Sequence, residues 1–150
     1  MRPEAKDTRA LLAAADVTAE VTCLPVGQVV RVEGERVLDA LAAFRTGGYE
    51  SLVDFDGTDT GSDIELTYKL RSYSAGTDLY IKTTLPYDGT IHSAWNTYPS
   101  VLMPERETAE LFGLHLAGHP NPKRLLTTDG IAPLLRKDVS IRTQDEVRRT

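Results

Sequence analysis

The feature that most constrains the fold is an alternation of apolar and polar side chains, with period two, between residues 64 and 85. The turn Ser74-Ala75-Gly76-Thr77 divides this stretch into two strands. Successive side chains of a strand point to opposite faces of a sheet, so one face of both strands is apolar and the other is wet. The apolar face consists of Ile64, Leu66, Tyr68 and Leu70, followed by Leu79, Ile81, Thr83 and Leu85. The pattern predicts an antiparallel hairpin.

The segments before the hairpin complete an α+β domain. A strand at residues 51–56 leads into the hairpin and extends it to a three-stranded meander. Upstream, the periodicity predicts helices at about 3–15 and 35–45 and strands at about 17–23 and 28–32. This order of elements predicts a mostly antiparallel sheet with two helices on one face. With 150 residues and 41% hydrophobic content, the chain can bury one core.

The pattern changes after Pro86. Residues 91–101 are expected to form a short irregular helix. A helix of about ten residues is predicted from Pro104, which suits a first helical turn, to Gly113, which suits a left-handed cap. From Asn121 onward, prolines and paired leucines predict an extended, irregular C-terminal arm. We therefore divide the chain into a sheet domain at 1–103 and a short helix with a docking arm at 104–150.

The charge distribution favours a protein partner over nucleic acid. Residues 1–122 carry 18 Asp and Glu against 10 Lys and Arg, whereas residues 123–150 carry 4 against 7. The segment 50–65 has six carboxylates and no basic residue, which argues against contact with a phosphate backbone there. The basic arm lacks interleaved aromatic residues, so no nucleic acid is expected to bind it. Exposed leucine pairs on such an arm need a partner surface, and we expect the arm to become ordered on binding.

Composition also limits the cofactors and the location of the chain. Cys23 is the only cysteine, which excludes an internal disulfide and an iron–sulfur cluster held by this chain alone, and we expect it to be buried in a strand. No apolar run approaches the roughly 20 residues of a membrane-spanning helix. The N-terminus lacks the layout of a signal peptide, so a cytoplasmic chain is expected. With one cysteine, no phosphate-binding loop and no convincing set of metal ligands, the chain is expected to hold no cofactor.

Three groups of residues are candidates for chemistry. His115 and His119 are four residues apart, the spacing of two metal ligands on one helix face, and they define an alternative function as a small metal-dependent enzyme. Glu105 and Glu107 are candidates for an acid/base pair, although helical geometry points them apart. The four aspartates between 54 and 63 lack the spacing of a calcium loop and are expected to be solvated turn carboxylates. A free-standing binding module is a third possibility.

Five short motifs together resemble a known family. They are Glu105-Arg106-Glu107, Leu111-Phe112-Gly113, Gly118-His119-Pro120, Lys123-Arg124-Leu125-Leu126 and Leu135-Arg136-Lys137-Asp138. In this order and spacing they are similar to the signature of the respiratory complex I thirty-kilodalton subunit family. That family includes the subunit designated C of bacterial NADH-quinone oxidoreductase and a small subunit of membrane-bound group 4 nickel–iron hydrogenases. The resemblance is strongest over residues 104–138.

The resemblance implies a structural subunit without a cofactor or an active site of its own. Its arm would bind the large catalytic subunit, of the quinone-site or nickel–iron type, next to an iron–sulfur subunit. The complex would hold it on the cytoplasmic side of the membrane, which it would touch only indirectly. The residues expected to bind the partner are Glu105, Arg106, Glu107, Phe112, His119, Arg124, Leu125, Leu126, Arg136, Lys137 and Asp138.

Overall fold

The computed structural model describes residues 5–140, with side chains from Asp7 onward. The helices are α1 (Ala5–Ala14), α2 (Val37–Thr46) and α3 (Leu102–Phe112), with 3₁₀ turns at Gly34–Arg36 and Pro99–Val101. The strands are β1 (Ala19–Leu24), β2 (Gly27–Val32), β3 (Ser51–Asp59), β4 (Asp63–Ser72), β5 (Thr77–Pro86), β6 (Thr90–His92) and β7 (His115–Ala117). Within residues 5–140, no helix is long and apolar enough to cross a membrane.

The main sheet has the order β1-β2-β5-β4-β3. The predicted meander is confirmed, because β3 pairs with β4 and β4 pairs with β5, both antiparallel. The predicted alternation also holds, since every second residue of β4, from Ile64 to Ser72, is buried. The parallel pairing of β2 with β5 was not predicted from the sequence. The architecture is thus a mostly antiparallel α+β fold, as expected.

Two local predictions are corrected. Residues 91–101 do not form an irregular helix: Thr90–His92 is a strand, paired in parallel with β7, and only Pro99–Val101 is helical. Cys23 is exposed rather than buried, because β1 is an edge strand whose last three residues all face solvent. Alternation alone does not tell an edge strand from a central one, and this accounts for the error at Cys23.

The core lies between the sheet and the helices. It includes Phe44 of α2, Leu66 and Tyr68 of β4, and Ile81 of β5, all nearly inaccessible to solvent. Helix α3 packs against β3, the edge strand at the other side of the sheet. This contact places α3 and the arm that follows it beside β3.

Candidate partner-binding site

Helix α3 is fixed at both ends by local sequence. Pro99 begins the 3₁₀ turn that leads into it, so the helix starts at Leu102, two residues before the predicted start at Pro104. Gly113 ends it in the left-handed conformation, with φ of 68°, as predicted. At the C-terminal end, the ring of Phe112 is buried against the backbone of Gly57 in β3. Phe112 therefore anchors the helix inside the chain.

Glu105 does not extend outward as expected. It is 0% exposed, and its Oε1 accepts the N–H of Ala94 at 2.8 Å while its Oε2 accepts the hydroxyl of Ser93 at 2.5 Å. Burial raises the pKa of the Glu105 carboxyl, although these two hydrogen bonds act in the opposite direction. Glu105 therefore holds the loop after β6 onto α3. Its neighbour Glu107 is exposed, and the geometry does not bring the two carboxylates together as an acid/base pair.

Arg106 makes its contacts within the chain. Its Nε donates to the carbonyl of Lys123 at 2.7 Å, and one terminal nitrogen donates to the carbonyl of Arg124 at 3.1 Å. The guanidinium thereby ties α3 to the first residues of the arm. This geometry differs from the expectation that Arg106 reaches out to another chain.

Glu110 is the main attachment point of the arm. Its Oε2 accepts the N–H groups of Leu125 and Leu126 at 3.3 and 2.9 Å. Its Oε1 accepts the N–H and the hydroxyl of Thr127 at 2.7 and 2.5 Å, and Arg124 lies 3.9 Å away. Burial acts to raise the pKa of this carboxyl, but the hydrogen bonds outweigh it and lower the pKa to about 2. Three consecutive amides of an irregular segment are thus satisfied by one carboxylate.

Arg124 closes the next turn of the arm onto itself. Its terminal nitrogens donate to the hydroxyl of Thr127 at 2.6 Å and to the carbonyls of Thr128 and Ile131 at 3.2 and 2.9 Å. Because five N–H donors in a rigid fork suit several acceptors at once, this one side chain sets the path of residues 124–131.

A second carboxylate, Asp59 at the end of β3, holds the far part of the arm. Asp59 is buried and accepts the N–H of Lys137 and the hydroxyl of Tyr87, both at 2.7 Å, and the N–H of Gly61 at 2.8 Å. Burial acts to raise the pKa of this carboxyl, but the three hydrogen bonds lower it overall. The prediction of a solvated turn carboxylate is therefore wrong for Asp59.

Arg136 packs over the domain next to this carboxylate. Its guanidinium carbon lies 4.3 Å from the centre of the Tyr87 ring. Its nitrogens pair with Asp88 at 3.3 Å and with Asp138 in a bidentate contact at 2.5 and 2.9 Å. The motif residues Arg136 and Asp138 therefore pair with each other, and Lys137 leaves its side chain exposed.

Of the two histidines of the metal-site alternative, His119 is engaged in hydrogen bonds within the chain. The Nδ1 atom of His119 accepts the N–H of Asn121 at 2.9 Å, so its Nε2 carries the hydrogen and donates to the carbonyl of Leu102 at 2.8 Å. Both ring nitrogens are therefore engaged within the chain. His115 instead lines a cavity of about 360 Å³ between α3 and the arm. No group of three or more metal-ligating side chains exists within residues 5–140.

The arm turns several apolar side chains to solvent. Leu126 is 60% exposed, Leu135 is 53% exposed and Ile131 is 40% exposed. Leu125 is half-buried. The backbone beside Leu126 is held by Glu110, and the N–H of Leu135 donates to the carbonyl of Leu111 at 2.9 Å. The described arm, residues 121–140, is therefore attached to its own domain while it presents apolar side chains outward.

Comparison with known sequences decides the family. The profile described as respiratory-chain NADH dehydrogenase, 30 Kd subunit, matches residues 30–145. The chain belongs to this family. Residues 30–145 contain the whole meander, α3 and the described arm, so the match supports the resemblance noted in the sequence over a longer stretch than the motifs alone.

Individual members of the family are moderately similar to the chain. The NADH-quinone oxidoreductase subunit designated C from Phenylobacterium zucineum is 30% identical over 125 residues, which are 76% of this chain and 60% of that protein. Its counterpart designated C 1 in Rhizobium etli is 30% identical over 129 residues, which are 77% of this chain and 64% of that protein. The chain thus spans less than two thirds of the length of these relatives.

Two solved structures share the fold. One belongs to the membrane-bound sulfane sulfur reductase, an archaeal respiratory membrane complex. It has a TM-score of 0.81, 21% identity, and coverage of 96% of this chain and 88% of its own. The other, a trypsin-resistant fragment of Nqo5, has a TM-score of 0.63, 24% identity, and coverage of 75% of this chain and 97% of its own. At these identities the similarity establishes the fold and nothing finer.

Sequence reasoning did not identify Glu110 and Asp59 as attachment points of the arm. One indirect signal existed, since the amides of an irregular segment need acceptors and buried carboxylates are strong ones. A clearer signal existed for Glu105. Four of the five buried residues of α3 follow the spacing i, i+3, i+4 and i+7, and they are Glu105, Thr108, Ala109 and Phe112. Glu110 is the fifth.

Proposed function

We propose that this chain is a non-catalytic structural subunit of a membrane-associated, multisubunit oxidoreductase of the complex I or group 4 hydrogenase type. Membership of the 30 Kd subunit family supports this role. In this proposal the chain binds the large catalytic subunit, lies next to an iron–sulfur subunit, and is held on the cytoplasmic side of the membrane by the complex. Electrons pass through cofactors of the partner subunits.

The observation that carries the proposal is the arm, whose apolar side chains Leu126, Ile131 and Leu135 face solvent on a backbone fixed by polar contacts. Exposed apolar patches that are rimmed by polar residues mark protein interaction sites. The core of a protein interface is typically apolar with a charged rim. The exposed charges of Glu107, Lys137 and Asp138 suit such a rim.

The predicted binding residues have different roles in this proposal. Leu126, Glu107, Lys137 and Asp138 contact the partner directly. Glu105 and Phe112 act from inside the chain, because both are buried and shape the surface that α3 carries. The part-exposed residues, which connect α3 and the arm and border the interface, are Arg106, His119, Arg124, Leu125 and Arg136.

A co-purification experiment tests the proposal. The tagged chain is isolated from its native cells, and mass spectrometry identifies the proteins that accompany it. We expect a large catalytic subunit at stoichiometric ratio. Replacing Leu126 and Leu135 together by glutamate is expected to cost at least about 2 kcal/mol of binding free energy, as for residues central to an interface.

Leu24→Glu is the matched control. Leu24 is also strongly exposed, at 48%, but it lies at the end of β1, outside α3 and the arm. It receives the same chemical change and is expected to retain the partner. Thermal unfolding of each isolated variant should match the parent chain. A double variant that still co-purifies normally, or a parent chain that never captures a large subunit, would contradict the proposal.

A further inference from the structure

The described arm is organised by side chains of its own domain. Residues 125–127 have no strand partner, yet all three N–H groups bind the Glu110 carboxylate of α3. About ten residues later, the N–H of Lys137 binds the Asp59 carboxylate of β3. Each carboxylate is buried. Two separate elements of the domain therefore hold the arm, on either side of the exposed Ile131 and Leu135.

We propose that Glu110 and Asp59 are positioning residues, which fix the arm in its docking conformation before the large subunit arrives. This inference rests on the proposed function, since it concerns the same docking surface. It differs from the expectation drawn from the sequence, in which the arm is ordered only by its partner.

The physical argument is one of preorganisation. A segment that folds on binding loses conformational entropy at that step, and this loss weakens the complex. Here the ordering cost is offset within the free chain by charge-assisted hydrogen bonds, which are the strong class. The pKa of both carboxyls lies below the usual range, so they remain ionised acceptors at neutral pH. The exposed Leu126 and Leu135 then meet the partner in a defined geometry.

Hydrogen exchange of the free, full chain tests the inference site by site. The amides of Leu125, Leu126, Thr127 and Lys137 are expected to be protected in the parent chain. Glu110→Gln places an amide group where two carboxylate oxygens accept four hydrogen bonds. Hydrogen exchange of the amides at 125–127 is therefore expected to become about tenfold faster or more. This factor is equivalent to the loss of one charge-assisted hydrogen bond. Among these four amides, Asp59→Asn is expected to speed exchange at Lys137 only.

Each variant is the control for the other, because their effects fall on different amides. Glu107→Gln removes the same charge from the same helix at an exposed position, and it is expected to leave all four amides protected. Amides of β4 and β5 report the stability of the domain and are expected to stay protected in every variant. Arm amides that exchange freely in the parent chain, or that ignore both substitutions, would overturn the inference.

Binding then separates positioning from general stability. With the large subunit isolated from native cells as the probe, Glu110→Gln is expected to weaken binding by the inverse of the fraction of molecules whose arm stays in place, a factor of about ten when roughly nine arms in ten are released. Unchanged affinity despite a released arm would overturn the inference while leaving the proposed docking intact. A parent chain with a protected arm that captures no large subunit would instead refute the proposed function.

Discussion

Replacing Glu105 by alanine is expected to destabilise the isolated chain. The substitution leaves the buried N–H of Ala94 without an acceptor, which costs about 1–3 kcal/mol, whereas the part-buried hydroxyl of Ser93 can turn to water. The loss of the buried Cγ methylene group adds about 0.8 kcal/mol. Removing a carboxylate from a buried site, where its pKa is raised, offsets part of this loss. The net change is about 2–3 kcal/mol of unfolding free energy.

For a chain of this length, that change lowers the melting temperature by about 4–12 °C. Thermal unfolding followed by circular dichroism measures it. Glu107→Ala is the matched control, because Glu107 is exposed on the same helix and should change the free energy of unfolding by less than about 0.5 kcal/mol. If Glu105→Ala melted like the parent chain and only lost its partner, Glu105 would be an interface residue and the argument from burial would fail.

Three further predictions follow from individual contacts. Tyr98→Phe removes the hydroxyl that donates to the carbonyl of Tyr49 at 2.7 Å in the core, and it should cost about 1–2 kcal/mol in urea unfolding. Gly57→Ala places a Cβ atom 3.0 Å from the ring of Phe112, and overpacking should cost about 1–3 kcal/mol, measured by thermal unfolding. The pKa of Glu110 is lowered from 4.5 to about 2, so its contribution to stability is full above pH 4.5 and is lost as the pH falls towards 2. Between about pH 5 and pH 2 the parent chain should therefore lose stability more steeply than Glu110→Gln.

Regular elements were predictable from the sequence because their evidence is local. The alternation in β4 records directly which side chains face the core, and the cap at Gly113 is a property of one residue. The family was also recognisable, since its motifs lie close together in α3 and the arm. The sheet order was not predictable in the same way. The parallel pair β2–β5 joins segments separated by two strands and a helix, and no local pattern specifies it.

The predictions of a buried Cys23 and of an irregular helix at residues 91–101 failed for a related reason. Whether a strand lies at an edge depends on which other strands pair with it. In the described sheet, β1 pairs with β2 alone. Both β6 and β7 are only three residues long. Each is too short to show a period, and only the pairing of Thr90 with His115 and its neighbours makes them a sheet.

The burial of two acidic side chains of α3 was not predicted, because carboxylates are mostly solvent-exposed in proteins. Glu105 and Glu110 instead face inward, where they accept hydrogen bonds from loops at residues 93–94 and 125–127. A carboxylate can be buried when several donors converge on it, and here the donors come from segments before and after the helix in the sequence. Helix α3 therefore acts first as the internal connection between the sheet and the arm. In the proposed docking, contact with the partner therefore falls mainly to the arm that Glu110 holds in place.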